Sequence, residues 1–256
     1  MTFWEHLDEL RSVLLRIVVV WAVLFTAFIA IMPMIFDKVI LAPCSDSFAL
    51  YHALDALSRH IPMMPQFATG DFNVSLINIQ LASQFFVHMS TSLWLSLLIG
   101  FPYFIYQLWT FVRPALYPAE RRGMRIAFLL GNIMFYVGIA VGYFIVFPLT
   151  LRFLANYQIS DMIPNQISLD SYMGHFLTLT FAMGIVFELP LLCKMLSVIG
   201  VLQRSHFNQY RRHAIVALLI LAAVITPSGD PFTLIVVFLP IYMVYELSAL
   251  FVSKKD

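Results

Sequence analysis

Long apolar stretches separated by shorter polar segments run along most of this chain. They fall at about 13–36, 84–108, 124–149, 172–199, 213–226 and 232–250. The first four exceed the roughly 18 residues that a helix needs to cross ~30 Å of hydrocarbon at ~1.5 Å per residue. The pattern predicts an all-α membrane protein, with residues 1–256 forming one polytopic membrane domain. A long outward loop is expected over 37–83.

The last two apolar stretches are shorter than the others. Only 14 residues separate Arg212 from Pro227, and another 14 separate Pro231 from Glu246. Each interval reaches ~21 Å as a helix. Two undersized spans that thin the bilayer locally fit this length, and so does a re-entrant hairpin. Either path returns the end of the chain to the same side, so hydropathy leaves both open.

Composition and charge support a membrane protein and give it an orientation. Hydrophobic residues make up 61% of the 256 residues and charged residues 11%, too little charge to cover a soluble domain. Of the 15 lysines and arginines, all but Lys38, Arg59 and Arg152 fall on one side of the predicted spans. The positive-inside rule therefore predicts that both termini lie in the cytoplasm.

Two carboxylates, Glu9 and Glu120, lie at the predicted cytoplasmic edge of the membrane. Glu5 and Glu9 share one helix face, which is mostly anionic and suited to receive guanidinium groups. Both candidates also have a structural interpretation. Glu9 favours the start of its helix, and Glu120 falls in the first turn of a helix that Pro118 is expected to begin, where a carboxylate complements the helix dipole.

Glu188 is a carboxyl group within the fourth apolar stretch. Such a group costs several kcal/mol unless it is neutralised, hydrated or paired. One interpretation is a protonated acid that hydrogen-bonds within the bundle, for example to the carbonyl freed by Pro190. The other is a polar face toward a cavity or a partner helix. Thr226 and Asp230 lie in the outer turn before the last stretch, where a turn residue is the simpler interpretation.

The sequence contains no motif that indicates catalysis, a metal site or a cofactor. His-Glu-x-x-His, Gly-x-Ser-x-Gly and glycine-rich phosphate-binding patterns are absent. Cys44 and Cys193 show no spacing to histidines that is typical of metal ligands, and we expect no disulfide between them. We therefore expect a protein that is not an enzyme.

Several short blocks, taken in order, resemble the TatC family, the receptor subunit of twin-arginine protein translocation. Each block is weak alone, but the ordered set is specific. The blocks are Glu5-His6-Leu7-x-Glu9-Leu10-Arg11, Tyr106-Gln107-x-Trp109-x-Phe111, Pro114-Ala115-Leu116-Tyr117-x-x-Glu120-Arg121-Arg122, Phe187-Glu188-x-Pro190 and Thr226-Pro227 with Asp230.

This resemblance implies six transmembrane helices in a curved bundle, with two short C-terminal spans and both termini in the cytoplasm. It implies that Glu9 and Glu120 bind the signal peptide. Glu188 would be the intramembrane acid that helps a signal peptide or partner helix insert, and Thr226 and Asp230 would lie near a partner contact. One departure is Leu234, which stands where relatives have a polar residue.

The implied function is that of a translocase receptor in the bacterial cytoplasmic (inner) membrane. It would bind twin-arginine signal peptides of folded proteins, self-associate, and assemble with single-span subunits of the TatA/TatB type for export driven by the proton motive force. No cofactor and no nucleic acid are implied. The alternative is a proton-coupled secondary transporter of a small solute that uses Glu188 as its proton carrier.

Overall fold

The computed structural model describes residues 3–52, 72–115, 118–160, 162–198 and 200–252. Within these residues the chain is mostly helical, which confirms the all-α part of the predicted fold class. The helices are α1 Phe3–Ile35, α2 Ser83–Val112, α3 Pro118–Val141, α4 Phe147–Asn156, α5 Leu169–Val186, α6 Leu189–Val198, α7 Arg204–Gln209, α8 Arg211–Ile225 and α9 Pro231–Phe251.

Five helical segments of the described chain are long and apolar enough to cross a membrane. They cover Asp8–Cys44, Ser83–Val112, Gly123–Asn156, Leu169–Val198 and Pro231–Phe251. The fifth apolar stretch, 213–226, forms α8, whose 15 residues reach about 22 Å. A sixth span therefore stays a prediction.

The last helix corrects the expectation of two short C-terminal spans. α9 has 21 residues and continues past Glu246 to Phe251. Glu246 does not end the apolar helix, because its carboxylate is paired with Arg211 at the start of α8. Of the two C-terminal helices, α8 and α9, only α8 is therefore short.

Helices α1 and α2 pack side by side in opposite directions. Nε2 of His88, near the start of α2, lies 2.9 Å from the carbonyl oxygen of Ile29, near the end of α1. Further along α2, a methyl group at Gly100 would lie 3.3 Å from Cδ1 of Leu24. The beginning of α1, which carries Glu9, therefore lies at the end of the bundle where α2 finishes.

Two prolines lie where one helical segment gives way to the next, and three more lie inside continuous helices. Pro148 is the second residue of α4, directly after the π-helical segment Gly142–Val146. Pro190 is the second residue of α6, after a turn at Phe187 and Glu188. Both prolines thus occupy positions where a missing N–H is tolerated. The prolines inside continuous helices are Pro33, Pro102 and Pro240.

Two glycines, one in α3 and one at the start of the π-helical segment that follows it, bring this part of the chain against the backbone of α5. A methyl group at Gly138 would lie 2.5 Å from the carbonyl oxygen of Met183 and 2.8 Å from Cβ of Phe187. A methyl group at Gly142 would lie 2.8 Å from Cα of Thr180. We call this contact the glycine seam. Small residues at such spacing are how membrane helices approach closely, because hydrocarbon supplies no hydrophobic drive between them.

At the end of the bundle where α1 finishes and α2 begins, the connecting loops contact one another and a neighbouring helix. Tyr51 donates a hydrogen bond to the carbonyl of Pro43, and the guanidinium of Arg152 lies 5.0 Å from the centre of the Tyr51 ring. Two short strands, β1 Leu76–Ile77 and β2 Ile167–Ser168, pair in parallel. The loop before α2 and the loop before α5 are therefore connected through their backbones.

We predict that Gly138→Ala destabilises the protein, because the added methyl group meets the α5 backbone. Overpacking of this kind costs about 1–3 kcal/mol. Unfolding of the purified chain in detergent measures the change. Gly174→Ala is the matched control, since nothing lies within 4 Å of a methyl group at that helical position. There alanine is expected to be neutral or stabilising by up to ~1 kcal/mol. Equal stability of the Gly138 variant and the parent would contradict the role of the seam.

Candidate functional site

We use the label inner end for the end of the bundle where α1 begins, α2 ends, α3 begins and α6 ends. A buried apolar cluster joins three of these helices there, with Ile105 from α2, Met124 and Phe128 from α3, and Leu191 from α6. The start of α1 lies beside the end of α2, so the backbones of Glu9 and Glu120 come to this same end.

Glu9 is partly buried in α1. Its Oε2 atom is buried and accepts no hydrogen bond from the residues that the structure describes. Neighbouring Asp8 and Arg11 are exposed. Glu9 is also the seventh residue of α1, beyond the first turn whose N–H groups lack helical partners, so the start of the helix does not account for it. A buried carboxylate oxygen left without a donor is costly and needs an explanation.

Glu120 is the third residue of α3, and this helix begins at Pro118 as predicted. Only its backbone position is described; the side chain lies outside the part of the chain that the structure describes. At that position a carboxylate faces the free N–H groups of the first turn. The structural interpretation of Glu120 therefore remains beside the functional one.

A cleft of about 920 Å³ opens between α2 and α3. The ring centres of Trp109 and Phe128 lie 5.3 Å apart across it. Its described lining residues are Pro102, Ile105, Tyr106, Trp109, Arg113, Arg121, Arg125, Ile126, Phe128, Leu129 and Asn132. The cleft combines residues from two helices, so no single stretch of sequence reveals it.

Glu188 is a half-buried residue at the turn between α5 and α6. Both carboxyl oxygens are buried and find no hydrogen-bond partner among the described residues. A methyl group at Gly131 of α3 would lie 2.7 Å from Oε2 of Glu188, so the carboxyl packs directly on that glycine. The predicted hydrogen bond to the carbonyl freed by Pro190 is not made. The structure thus leaves Glu188 without a local polar role.

Asp230 caps the start of α9. Its Oδ1 accepts a hydrogen bond from the backbone N–H of Thr233 at 2.7 Å, and its Oδ2 accepts one from the hydroxyl of Ser228. Partial burial raises the pKa of Asp230, but these hydrogen bonds outweigh it and hold the pKa below its ordinary value. Thr226 ends α8 and donates to the carbonyl of Ala223 at 3.2 Å. Both residues thus support the turn itself.

The pairing between α8 and α9 was missed from the sequence. Arg211 donates from Nε to Oε1 of Glu246 at 2.7 Å, and the hydroxyl of Tyr242 donates to the same oxygen at 2.6 Å. The contact between Tyr242 and Glu246 could have been predicted from the sequence, because the two residues are four apart on one helix. The ion pair ties the inner ends of the two helices together.

Comparison with known proteins identifies the fold and the family. The family model of the Sec-independent protein translocase protein (TatC) matches residues 5–240. The chain belongs to the TatC family. It is 31% identical to the Sec-independent protein translocase protein TatC of Blattabacterium sp. subsp. Periplaneta americana over 100% of this chain and 97% of that protein. It is 34% identical to TatC of Halothiobacillus neapolitanus over 98% of this chain, which spans 62% of that relative's length.

A solved structure agrees with this assignment. The crystal structure of the twin arginine translocase receptor TatC superposes with a TM-score of 0.72 at 27% identity, covering 96% of this chain and 97% of that chain. The predicted family is confirmed, and the chain is a protein translocase component. The relatives are named as translocase proteins rather than as enzymes or solute transporters. These names favour a translocase component over the alternative of a proton-coupled transporter.

We predict that Asp230→Ala lowers the free energy of unfolding at neutral pH by about 1 kcal/mol, the usual cost of losing an N-cap. The folded state favours the carboxylate, so this contribution is complete above the ordinary pKa of 3.8 and is lost as the pH falls through the lower folded value. Unfolding in detergent at pH 7 and at pH 3 measures it. Asp46→Ala, at an exposed aspartate, is the control. A stability difference that stays the same at both pH values would argue against capping by the carboxylate.

Proposed function

We propose that this chain is the receptor subunit of a twin-arginine translocase, and that Glu9 and Glu120 bind the two consecutive arginines of a signal peptide. The observation that carries the proposal is the buried, unpartnered Oε2 of Glu9 at the inner end of the bundle. The backbone of Glu120 lies at the same end, in the first turn of α3. Two acids on separate helices can each serve one cation.

The chemistry suits guanidinium groups better than ammonium groups. An arginine presents a planar fork of N–H donors that matches both oxygens of a carboxylate, whereas lysine presents a single point charge. A hydrogen bond to a charged group contributes about 1.5–3 kcal/mol. A site at the membrane edge, where water is limited, keeps such pairs from being fully screened. We therefore expect the site to bind paired arginines more tightly than paired lysines.

The proposed orientation places both termini in the cytoplasm of a bacterium, with the chain in the inner membrane. Arg113, Arg121 and Arg125 lie at the same end of the bundle as Glu9, which agrees with the positive-inside rule. The signal peptide of a folded cargo protein would then reach the site from the cytoplasm. In this orientation α8 serves as the short fifth of six spans.

Glu188 is proposed to act after binding. Its carboxyl is buried and has no local partner among the described residues, so it can receive a polar group of an inserting segment. That segment would be a signal-peptide hairpin or the helix of a TatA/TatB-type single-span subunit. The turn with Thr226 and Asp230 is proposed to lie near such a partner. Self-association and the proton motive force would complete export.

We expect Glu9→Gln and Glu120→Gln each to weaken binding of a fluorescent twin-arginine peptide at least ~10-fold, because one charged hydrogen-bond acceptor is lost. The double variant should bind no better than the parent binds a twin-lysine peptide. Affinity is measured with the full chain in nanodiscs. Asp8→Asn is the matched control, since it removes a neighbouring exposed acid. Unchanged affinity in the double variant would overturn the assigned site.

Glu188→Gln keeps the shape of the side chain but removes its ability to carry charge. We expect peptide affinity within about twofold of the parent, since the site at the inner end is intact, and export of a twin-arginine reporter reduced at least ~10-fold. Thr150→Val is the control, because Thr150 Oγ1 is likewise buried without a partner among the described residues. Full export by the Glu188 variant would remove Glu188 from the mechanism.

A further inference from the structure

A cavity of about 300 Å³ lies among α1, α2, α3 and α5, in the half of the bundle where α1 finishes and α2 begins. Thr91 and Leu98, which line it, are 8 and 15 residues after the first residue of α2, or about 12 and 22 Å along that helix. Nearly all of its accessible wall is apolar. A water molecule takes about 30 Å³ of liquid, and packed interiors hold few voids larger than that. This cavity is therefore much larger than an ordinary packing defect.

The polar side chains of the cavity wall are engaged elsewhere. The hydroxyl groups of Tyr136, Tyr143 and Thr91 all donate to backbone carbonyls, at 2.9, 2.7 and 2.7 Å respectively. The hydroxyl oxygen of Thr180 is itself buried, so it is not exposed to the cavity. Among the described residues, the wall therefore offers a ligand apolar contacts and no accessible hydroxyl group.

The cavity opens at the side of the bundle between two π-helical segments. Phe36–Ile40 follows α1, and Gly142–Val146 follows α3. Both segments lie within stretches that are long and apolar enough to cross a membrane. Val39 and Phe144, one from each segment, line the cavity and are 43% and 46% exposed, so its mouth faces outward from the bundle. Because π-helical turns are rare and are frequent at functional sites, two of them at one mouth indicate a ligand site.

We propose that this cavity holds one acyl chain of a membrane phospholipid, from the leaflet on the side where α2 begins. The chain enters between the two π-helical segments and lies against Trp94 and Phe181, whose ring centres are 4.2 Å apart. An acyl chain needs no hydrogen-bond partner, and it supplies the dispersion contacts that the wall of an empty cavity lacks. The headgroup stays outside the cavity.

Size and polarity favour an acyl chain over other occupants. A helix is about 10 Å across and rises ~5.4 Å per turn, so a single turn fills roughly 400 Å³ and exceeds the cavity. Water is disfavoured, because apolar cavities in proteins stay dry. A polar ligand would lose its hydrogen bonds to water without gaining others from this wall. The inference does not depend on signal-peptide binding, and its test uses no receptor activity.

The test uses Trp94 as a reporter inside the cavity. Replacing Trp4, Trp21 and Trp109 with Phe leaves Trp94 as the tryptophan of the full chain. The purified protein in detergent is titrated with phosphatidylcholine that carries brominated acyl chains, which quench a nearby tryptophan. We expect quenching to saturate near one lipid per chain and to be reversed by excess unlabelled lipid. Quenching that only rises in proportion to the lipid mole fraction would mean contact with bulk lipid and would overturn the proposal.

A second reporter position shows the behaviour of a residue that only touches bulk lipid. Ile99 lies on the same helix, is half exposed and stands outside the cavity lining. In the same background, Trp94→Phe with Ile99→Trp moves the fluorophore out of the cavity. Quenching there should rise in proportion to the lipid mole fraction. Saturation near one lipid at both positions would contradict the assignment to the cavity.

A matched pair of alanine replacements tests the site directly. Ala140 of α3 lines the cavity and is exposed, so Ala140→Phe puts a ring where the chain enters. This variant should weaken the saturable quenching of Trp94 at least ~10-fold, because the ring overlaps the chain. Ala223→Phe, at an exposed alanine of α8 outside the cavity, should leave the quenching unchanged. Equal effects of the two variants would overturn the proposal.

Competition experiments separate an acyl chain from other occupants. Unlabelled phosphatidylglycerol and phosphatidylcholine should restore Trp94 fluorescence equally, within about threefold, because no charged residue lines the cavity. A larger difference would mean that the headgroup decides binding and would contradict the proposal. Stronger competition by a transmembrane polyleucine peptide than by lipid would assign the cavity to a side chain of a partner helix and would overturn it.

Native mass spectrometry gives a measurement on the unaltered chain. It should retain one more phospholipid than the Ala140→Phe variant after the same detergent wash. Equal retention by the two chains would count against an acyl chain in the cavity. The quenching and competition experiments need no filled variant, so a folding defect of Ala140→Phe leaves the proposal testable.

Discussion

The close approach of α3 to α5 and α6 fixes the centre of this bundle. In hydrocarbon there is little hydrophobic gain from joining two apolar helices, so contact between backbones must supply the attraction. Gly138 and Gly142 allow that contact with α5, and Gly131 continues it to Glu188 at the turn before α6. The position of the buried carboxyl is thus a consequence of glycine packing. Enlarging a residue on this face disturbs the helix contact and the acid together.

The inner end of the molecule holds opposite charges at neighbouring places. Glu9 has a buried oxygen without a partner among the described residues, while three arginines line the cleft between α2 and α3. Glu120, Arg121 and Arg125 lie on the same helix, α3, so acids and cations share this end of the bundle. Electrostatic interactions between such groups are felt over about 10 Å and weaken with salt.

Hydropathy and charge predicted the helical class, and the ordered sequence blocks predicted the family. Other features depend on which helices are neighbours, which apolar periodicity does not specify, because lipid-facing and buried positions are both apolar. The glycine seam carries a recognisable signal, since Gly138 and Gly142 are spaced as Gly-x-x-x-Gly. The cleft with Arg113 and Arg125 carries none, because its two sides come from different helices. The expectation of a short last span failed because Glu246, paired with Arg211, lies inside α9.

The parallel strand pair β1 and β2 has a consequence for how the outer surface of the protein can change during evolution. Leu76 pairs with Ile167, and Ile77 pairs with Ser168, through main-chain groups that every residue except proline can supply. Replacement of side chains in these loops therefore alters the face exposed outside the membrane without breaking the connection between them. Homologous proteins can therefore differ in the side chains that these loops expose while keeping the same strand pair.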